Sequence, residues 1–241
     1  MARIGDSPFT VAAVVPAHNE SQSIGATIDA LRRIPGNLEI VVVDDGSSDE
    51  TQAIAQARGV RVLRLARRRG KGGALRLALK CLSLEGYDAF LLVDADLGAE
   101  AQKAERLLNS LLADEGDMVI GGVKVQEGTG GFGLVAAIAR RITKFLTGTD
   151  VTWPLSGQRA FKSSVWSRLD TVALGFGFEI ALTIDAIRAG FKVREIQTDM
   201  MHSGDGKSLR GLIHRGIQLL HICYAALPRL FGRAKRRESE F

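Results

Sequence analysis

Short apolar runs alternate with stretches of helical spacing along the first half of this chain, and that alternation constrains the fold more than any other feature. The runs lie at residues 11–16, 38–43, 89–93 and 117–121, with an alternating apolar and polar strand at 60–65, and the helical stretches between them at 21–33, 50–58, 70–84 and 100–113. A run of four to six apolar residues with no polar face reads as a strand buried on both sides. Strands alternating with helices imply a parallel sheet joined by right-handed crossovers. The predicted fold class is α/β: a doubly wound, mostly parallel sheet with a Rossmann-like first half. Ligands of such sheets bind beyond the carboxyl ends of the strands.

The residues just past each strand therefore matter most. After the first come Pro16-Ala17-His18-Asn19-Glu20, and after the second Asp44-Asp45-Gly46-Ser47-Ser48-Asp49. The third leads into Arg67-Arg68-Arg69-Gly70-Lys71-Gly72-Gly73, with four cations in five residues and glycines at a helix start. Glycines admit close approach of backbone N–H groups to a phosphate, and a helix N-terminus favours anions. The spacing is not that of a Walker loop. The fourth strand ends in Asp94-Ala95-Asp96. Residues i and i+2 of a strand point to one side, so Asp94 and Asp96 present two hard oxygen ligands together. Mg or Mn fits that pair, with water and substrate phosphates completing the shell. An isolated Asp-x-Asp serves equally well as a helix cap beside a solvated neighbour. The convergence of four such segments on one rim is what points to a nucleotide-phosphate and metal site.

The chain's 241 residues permit one large α/β domain, and its net charge of +5 suits anionic partners. Aromatic residues make up only 6%, and no stacking platform is present, so nucleic acid is not expected. The first ten residues lack a basic segment followed by an apolar one, so no signal peptide is expected, and no stretch approaches the roughly 20 apolar residues of a spanning helix. Cys81 and Cys223 sit in apolar surroundings without metal-ligand neighbours and read as small buried hydrophobes.

The second half is less regular. A glycine-rich stretch at 128–133 precedes a helix at 134–146, and Ser156-Gly157-Gln158-Arg159-Ala160-Phe161 reads as a loop entering a strand. A helix beginning near Glu179 runs to about 189, and a strand follows at 191–197. The polar stretch from His202 to Ser208, with Gly204, Gly206 and Lys207, has the composition of a lid. A long helix starts near Leu209. On a helical wheel, Arg210, His214, Arg215, Gln218, His221 and Arg229 share one sector, interrupted by Gly211 and Ile222. Leu209, Leu212, Ile213, Ile217, Leu220, Cys223, Tyr224 and Leu227 fall on the other side, and Pro228 should bend or end the helix. A basic tail, Arg233-Ala234-Lys235-Arg236-Arg237, comes next. A basic amphipathic helix of this kind suits an anionic membrane surface; packing on the body of the protein is the other reading.

Taken together these segments resemble family 2 glycosyltransferases of the GT-A fold. The motifs are Val14-Val15-Pro16-Ala17-His18-Asn19-Glu20, Val42-Val43-Asp44-Asp45-Gly46-Ser47-Ser48-Asp49-Glu50-Thr51, Gly70-Lys71-Gly72 with Ala74, and Asp94-Ala95-Asp96. The resemblance runs to about residue 200. Ser156 to Phe161 is similar to the acceptor-side motif of members acting on polyprenyl phosphates, the dolichyl-phosphate mannose synthase-like enzymes. The chain departs from those members at Gly98, where many carry Gln, and in lacking C-terminal hydrophobic spans.

The resemblance implies a GT-A domain over 1–208, with a nucleotide-binding half at about 9–122 and an acceptor half at about 123–208, and a helix and tail over 209–241. It implies that Pro16, His18 and Glu20 line the nucleoside pocket, with Asp45 on base or ribose and Lys71 toward the phosphates. Asp94 and Asp96 would hold a divalent cation, with His202 a third candidate ligand. Gln158 and Arg159 would face the sugar or acceptor phosphate, and Glu179 stands where many members carry a catalytic carboxylate. The expected activity is inverting transfer from a nucleotide-diphosphate sugar to an acceptor, foremost a polyprenyl phosphate at the cytoplasmic face of a membrane. A soluble acceptor such as phosphoglycerate, and a non-catalytic nucleotide-sugar binding protein, are the alternatives. A nucleotidyltransferase is disfavoured because its glycine loop comes after the first strand.

Overall fold

The computed structural model describes residues 9–125, 132–169, 175, 177–202 and 209–231. In chain order the elements are β1 (Thr10–Ala17), α1 (Ile24–Leu31), β2 (Asn37–Asp44), α2 (Thr51–Ala57), β3 (Arg61–Arg64), α3 (Lys71–Leu82) and β4 (Ala89–Leu92). A 3₁₀ segment (Gly98–Ala104) then runs into α4 (Glu105–Leu112), followed by β5 (Met118–Val125), α5 (Phe132–Thr147) and β6 (Arg159–Lys162). The rest is α6 (Ser163–Ser167), α7 (Gly177–Arg188), β7 (Val193–His202) and α8 (Leu209–Phe231).

The seven strands form one sheet in the order β3-β2-β1-β4-β6-β5-β7. Strands β3, β2, β1 and β4 pair in parallel, as the alternation predicts. The fifth of the expected strands does not pair with the fourth. Strand β6 inserts between β4 and β5 and runs antiparallel to both, with Leu91 opposite Ala160 and Val119 opposite Ala160 on the other side. That reversal delivers the loop before β6 to the carboxyl end of β4, beside Asp94.

The continuous apolar character of β1 and β2 comes from their position. Val11, Ala13 and Val15 join Ile24, Ile28 and Leu31 of α1 and Leu107, Leu108 and Leu111 of α4 in one core layer. Ala12, Val14, Val41 and Val43 join Leu75, Leu79 and Leu82 of α3 and Phe178 and Leu182 of α7 in the layer on the opposite face. Val11–Val15 of β1 and Ile40–Val43 of β2 are buried and carry no polar residue, so the carboxylates that follow them collect at the rim.

One expectation about the two cysteines is corrected. Cys81 and Cys223 are exposed; Leu75, Ala78, Leu79 and Leu82 take the inward stripe of α3, which leaves Cys81 outside it. In α8, where the sequence left open which face turns inward, the structure decides. Gln218, Ile222, Ala225, Ala226 and Arg229 face the protein, while Ile217, Leu220, Tyr224, Leu227 and Leu230 are exposed. The cause is a third core layer shared by α5, α7 and α8, built on Val135, Ala139, Ile180, Ile184, Ile222 and Ala225. It is fastened by a buried ion pair, Arg229 Nε to Asp185 Oδ1 at 2.7 Å. Arg188 Nη1 also donates to the Arg229 carbonyl at 2.6 Å. Pro228 is accommodated within the helix, in its last turn.

Candidate active site

The rim is built from the turns after β1, β2, β3 and β4. The turns after β1 and β2 are laced together. Asn19 adopts φ 58°, a left-handed conformation that asparagine tolerates better than most residues. Its N–H donates to Ser47 Oγ at 3.0 Å, and its Oδ1 accepts from Ser48 N at 2.9 Å. Glu20 N donates to Thr51 Oγ1 at 2.8 Å, and Ser21 N to Asp49 Oδ2 at 3.0 Å. Burial alone would raise the Asp49 carboxyl, but bonds from Thr51 and Ser21 hold it below its ordinary range. His18 Nδ1 lies 3.1 Å from the Asp45 carbonyl, and Pro16 is half-buried beside these turns.

Asp45 is buried, and its two carboxylate oxygens accept from Arg69 N at 2.6 Å and Gly70 N at 2.7 Å. It is therefore the anchor of the basic glycine loop, a contact the sequence did not suggest. Gly70 sits at φ 76°, which an L side chain rarely adopts. Asp45→Ala frees two backbone donors and the loop they hold. Affinity for a free nucleotide should fall about tenfold or more without any metal, since each bond of a backbone N–H to a carboxylate contributes about 1.5–3 kcal/mol. Unchanged affinity by calorimetry would separate the loop from nucleotide binding.

Lys71, the first residue of α3, is the hub of the site. Its Nζ lies 2.6 Å from Asp94 Oδ1 and 2.9 Å from Glu179 Oε1. Burial works against its charge, but the Asp94 and Glu179 carboxylates outweigh it and hold the ammonium above its ordinary pKa. Glu179, in the first turn of α7, is only 2% exposed, and its Oε2 has no hydrogen-bond partner among the described residues. The two helix starts can meet because position 72 is glycine: a Cβ there would lie 2.7 Å from the Gly175 carbonyl and 2.9 Å from Phe178 Cβ.

Asp94 is held from its other side by Gln158. Gln158 Nε2 donates to Asp94 Oδ2 at 2.8 Å, while Asp94 N donates to Gln158 Oε1 at 3.1 Å. Gly157 is required here, because a Cβ would fall 2.5 Å from Asp94 Oδ2 and 2.7 Å from Lys71 Nζ. Arg159 turns inward and is 0% exposed. Its guanidinium donates to the carbonyls of Ser156 and Glu179 and, at 3.1 Å, to Thr183 Oγ1. Burial pulls it down to about 10, against the Glu179 and Asp94 carboxylates. Gln158 and Arg159 thus reach the site through Asp94 and Glu179. Ser156 and Gly157 lay inside the motif read from the sequence without a role of their own, and Thr183, whose type carries no chemical signal, was missed.

Asp96 is exposed at the mouth, and the turn that carries it is pinned to α1 by Thr27, whose Oγ1 donates to the Ala95 carbonyl at 2.7 Å and accepts from Gly98 N at 2.9 Å. Glu20 has a raised pKa, first from burial and then from Asp96 and Asp94, with a bond from Ser23 opposing. Three carboxylates thus share one negative region, which suits a cation. Among the described residues no three His, Cys, Asp or Glu side chains converge as a closed metal cage. Strand β4 ends at Leu92, so Asp94 and Asp96 sit in the turn beyond it rather than side by side on a strand. Asp94 is 22% exposed, with both oxygens engaged, and Asp96 is open to solvent. This open arrangement suits an ion that keeps water and takes phosphate oxygens. His202 ends β7, paired with Val125; its side chain lies outside the described residues, as do residues 203–208 with Lys207, the side chain of Arg210, and the tail from 232.

A doubly wound sheet with these carboxylates and this lysine at its carboxyl rim is the GT-A fold of glycosyltransferases. The chain belongs to glycosyl transferase family 2, whose pattern it matches over residues 12–164. It is 31% identical over 219 residues to an uncharacterised protein of Methanocaldococcus jannaschii, covering 86% of this chain and 88% of that one. It is 27% identical over 225 residues to undecaprenyl-phosphate mannosyltransferase of Micrococcus luteus, covering 86% and 90%. Among solved structures, glucosyl-3-phosphoglycerate synthase from Mycobacterium tuberculosis, in complex with Mn2+, uridine diphosphate and phosphoglyceric acid, superposes with a TM-score of 0.77. That match is 28% identical and covers 92% of this chain and 78% of the other. The chain is thus a glycosyltransferase.

Proposed function

We propose that the protein is an inverting glycosyltransferase that moves a hexose from a nucleotide-diphosphate sugar to a polyprenyl phosphate, working peripherally at the cytoplasmic face of a membrane. The observation that carries the choice of acceptor is the state of Glu179. It is 2% exposed, with Oε1 held by Lys71, so it is closed to the approach of an acceptor hydroxyl. A hydroxyl acceptor such as that of phosphoglycerate needs a general base. A phosphate acceptor does not: its second pKa is about 6, so at pH 7 it is mostly ionised and needs only orientation at the anomeric carbon. The likeness to undecaprenyl-phosphate mannosyltransferase supports the same acceptor class.

Pro16, His18 and Glu20 lie on the turns assigned to the nucleoside, and Asp45 acts by holding the Arg69–Gly70 backbone toward the phosphates. Asp94 and Asp96 would hold a divalent cation, Mg or Mn, whose chemistry is to offset charge on the leaving diphosphate. His202 is proposed as a further ligand. Lys71 adds a fixed positive charge beside it, pre-oriented by Asp94 and Glu179. Gln158 and Arg159 are positioning residues, the first setting the Asp94 carboxylate and the second the first turn of α7.

The likeness to glucosyl-3-phosphoglycerate synthase supports a second reading, transfer to a small phosphorylated acid. An acceptor competition separates them. With labelled nucleotide sugar and both acceptors present, label should partition into organic solvent with the polyprenyl phosphate. Label that remains in water on phosphoglycerate would overturn the first reading in favour of the second.

A further inference from the structure

Helix α8 is amphipathic in the wrong sense for a water-facing helix. Its polar residues Gln218 and Arg229 are buried, the latter on Asp185 of α7, whereas Leu220 is 69%, Tyr224 59% and Leu227 59% exposed. The orientation is not loose, because the Arg229–Asp185 pair, the Arg188 bond to the Arg229 carbonyl and the glycine contacts fix it. A Cβ at Gly177 would lie 2.6 Å from the His221 carbonyl, so α8 seats directly on the start of α7. Neighbouring α5 continues the surface with Leu134 and with Phe145, 81% exposed. Between the two helices runs a groove lined by Arg141, Phe145, Leu146, Cys223, Leu227 and Leu230. A contiguous exposed apolar surface of this kind marks an interaction site.

We infer that the outer face of α5 and α8 docks on an anionic lipid surface. Charge selects the occupant. Helix α8 has no Asp or Glu between Leu209 and Phe231, and the sequence continues from it into Arg233, Lys235, Arg236 and Arg237 against Glu238 and Glu240. Arg141 borders the groove itself. A second copy meeting this face about a two-fold axis would set cation against cation, while acidic headgroups complement it and the apolar stripe enters the interfacial zone. No helix among the described residues is long and apolar enough to cross a membrane, so the contact lies in the plane of the surface. The inference rests on the lipid-phosphate reading only in its purpose: docking would bring the rim, one end of α7, to the surface where such an acceptor resides.

The test is vesicle co-sedimentation of the full chain and of a Leu220→Ser, Tyr224→Ser, Leu227→Ser variant. All three side chains are exposed, so the variant should keep its thermal midpoint and its stabilisation by nucleotide sugar. The full chain should bind phosphatidylglycerol-containing vesicles, weakly or not at all phosphatidylcholine alone, and less at high salt. The variant should bind at least tenfold more weakly, and a Phe145→Ser variant should be weakened too. Equal binding by variant and wild type, or no binding by wild type at low salt, overturns the inference. A wild-type dimer in light scattering that the variant abolishes, without vesicle binding, assigns the face to a second copy instead. Transfer to a short-chain, water-soluble polyprenyl phosphate needs no vesicle. Its retention alongside failed docking would leave the acceptor reading intact, and its absence alongside successful docking would remove that reading alone.

Discussion

Asp96→Asn should lower sugar transfer by about 10²–10³-fold, the loss expected when one group stabilising developing negative charge is removed. Asparagine keeps the size and one acceptor oxygen and removes the charge. Asp96 is exposed at the mouth of the cleft, so stability should stay within about 0.5 kcal/mol of wild type. The same change has a second signature. Glu20 is pushed up first by burial and then, against a bond from Ser23, by Asp96 and Asp94, so removing the Asp96 charge should bring its carboxyl down toward 4.5. Equal turnover of wild type and variant with Mg2+ or Mn2+ present, or wild-type turnover undiminished by excess chelator, would sink the assignment of this pair to the cation.

Lys71→Met should damage both stability and activity, through different partners. The ammonium joins two carboxylates, and one of them, Glu179, is buried. Removing one partner of a buried ion pair costs about 3–5 kcal/mol, chiefly because the other charge is left behind. Half-exposed Asp94 moderates that figure. Adding Glu179→Gln should therefore restore much of the lost stability without restoring transfer, a coupling that a double-mutant cycle reads directly. The pH dependence has a definite sign. Lys71 has a raised folded pKa, so its contribution is whole below about 10.4, the unfolded value, and is lost only as pH rises through the raised value. Urea denaturation across pH 6 to 9 should accordingly show no loss assignable to Lys71. Additive stability losses in the cycle would contradict the pairing.

Much of this was legible in the chain because the stretches of β1, β2 and β4 buried on both faces, Val11–Val15, Ile40–Val43 and Ala89–Leu92, carry no polar residue. The runs from Val11, Leu38 and Ala89 declared their strands, and the carboxylates and glycines after them declared the rim. Side-chain direction was harder to read. Asp45 carries the composition of a ligand contact, and the structure adds a second partner the sequence did not suggest, the Arg69 and Gly70 backbone. Arg159 suggests an acceptor clamp, yet it is inside, bonded to Ser156, Glu179 and Thr183. Both depend on contacts between segments far apart in sequence, which no local pattern encodes. The antiparallel insertion of β6 was hidden for the same reason: Arg159 to Lys162 is too short a run to state its neighbours. In α8, over residues 216–230, Gln218 and Arg229 do share a face distinct from that of Ile217, Leu220, Tyr224 and Leu227, but only the partner, Asp185 on α7, decides which one turns inward.

The central claim is that four strand-end segments converge into one cation-dependent site for a nucleotide-diphosphate sugar. Calorimetric titration of the wild-type protein with a panel of such sugars, with and without Mg2+ or Mn2+, tests it most directly. At least one sugar nucleotide should bind, at least tenfold more tightly with the cation than without it, and the gain should vanish with chelator and in the Asp96→Asn variant. Binding that is indifferent to the cation, or no binding by any member of the panel, would contradict the account.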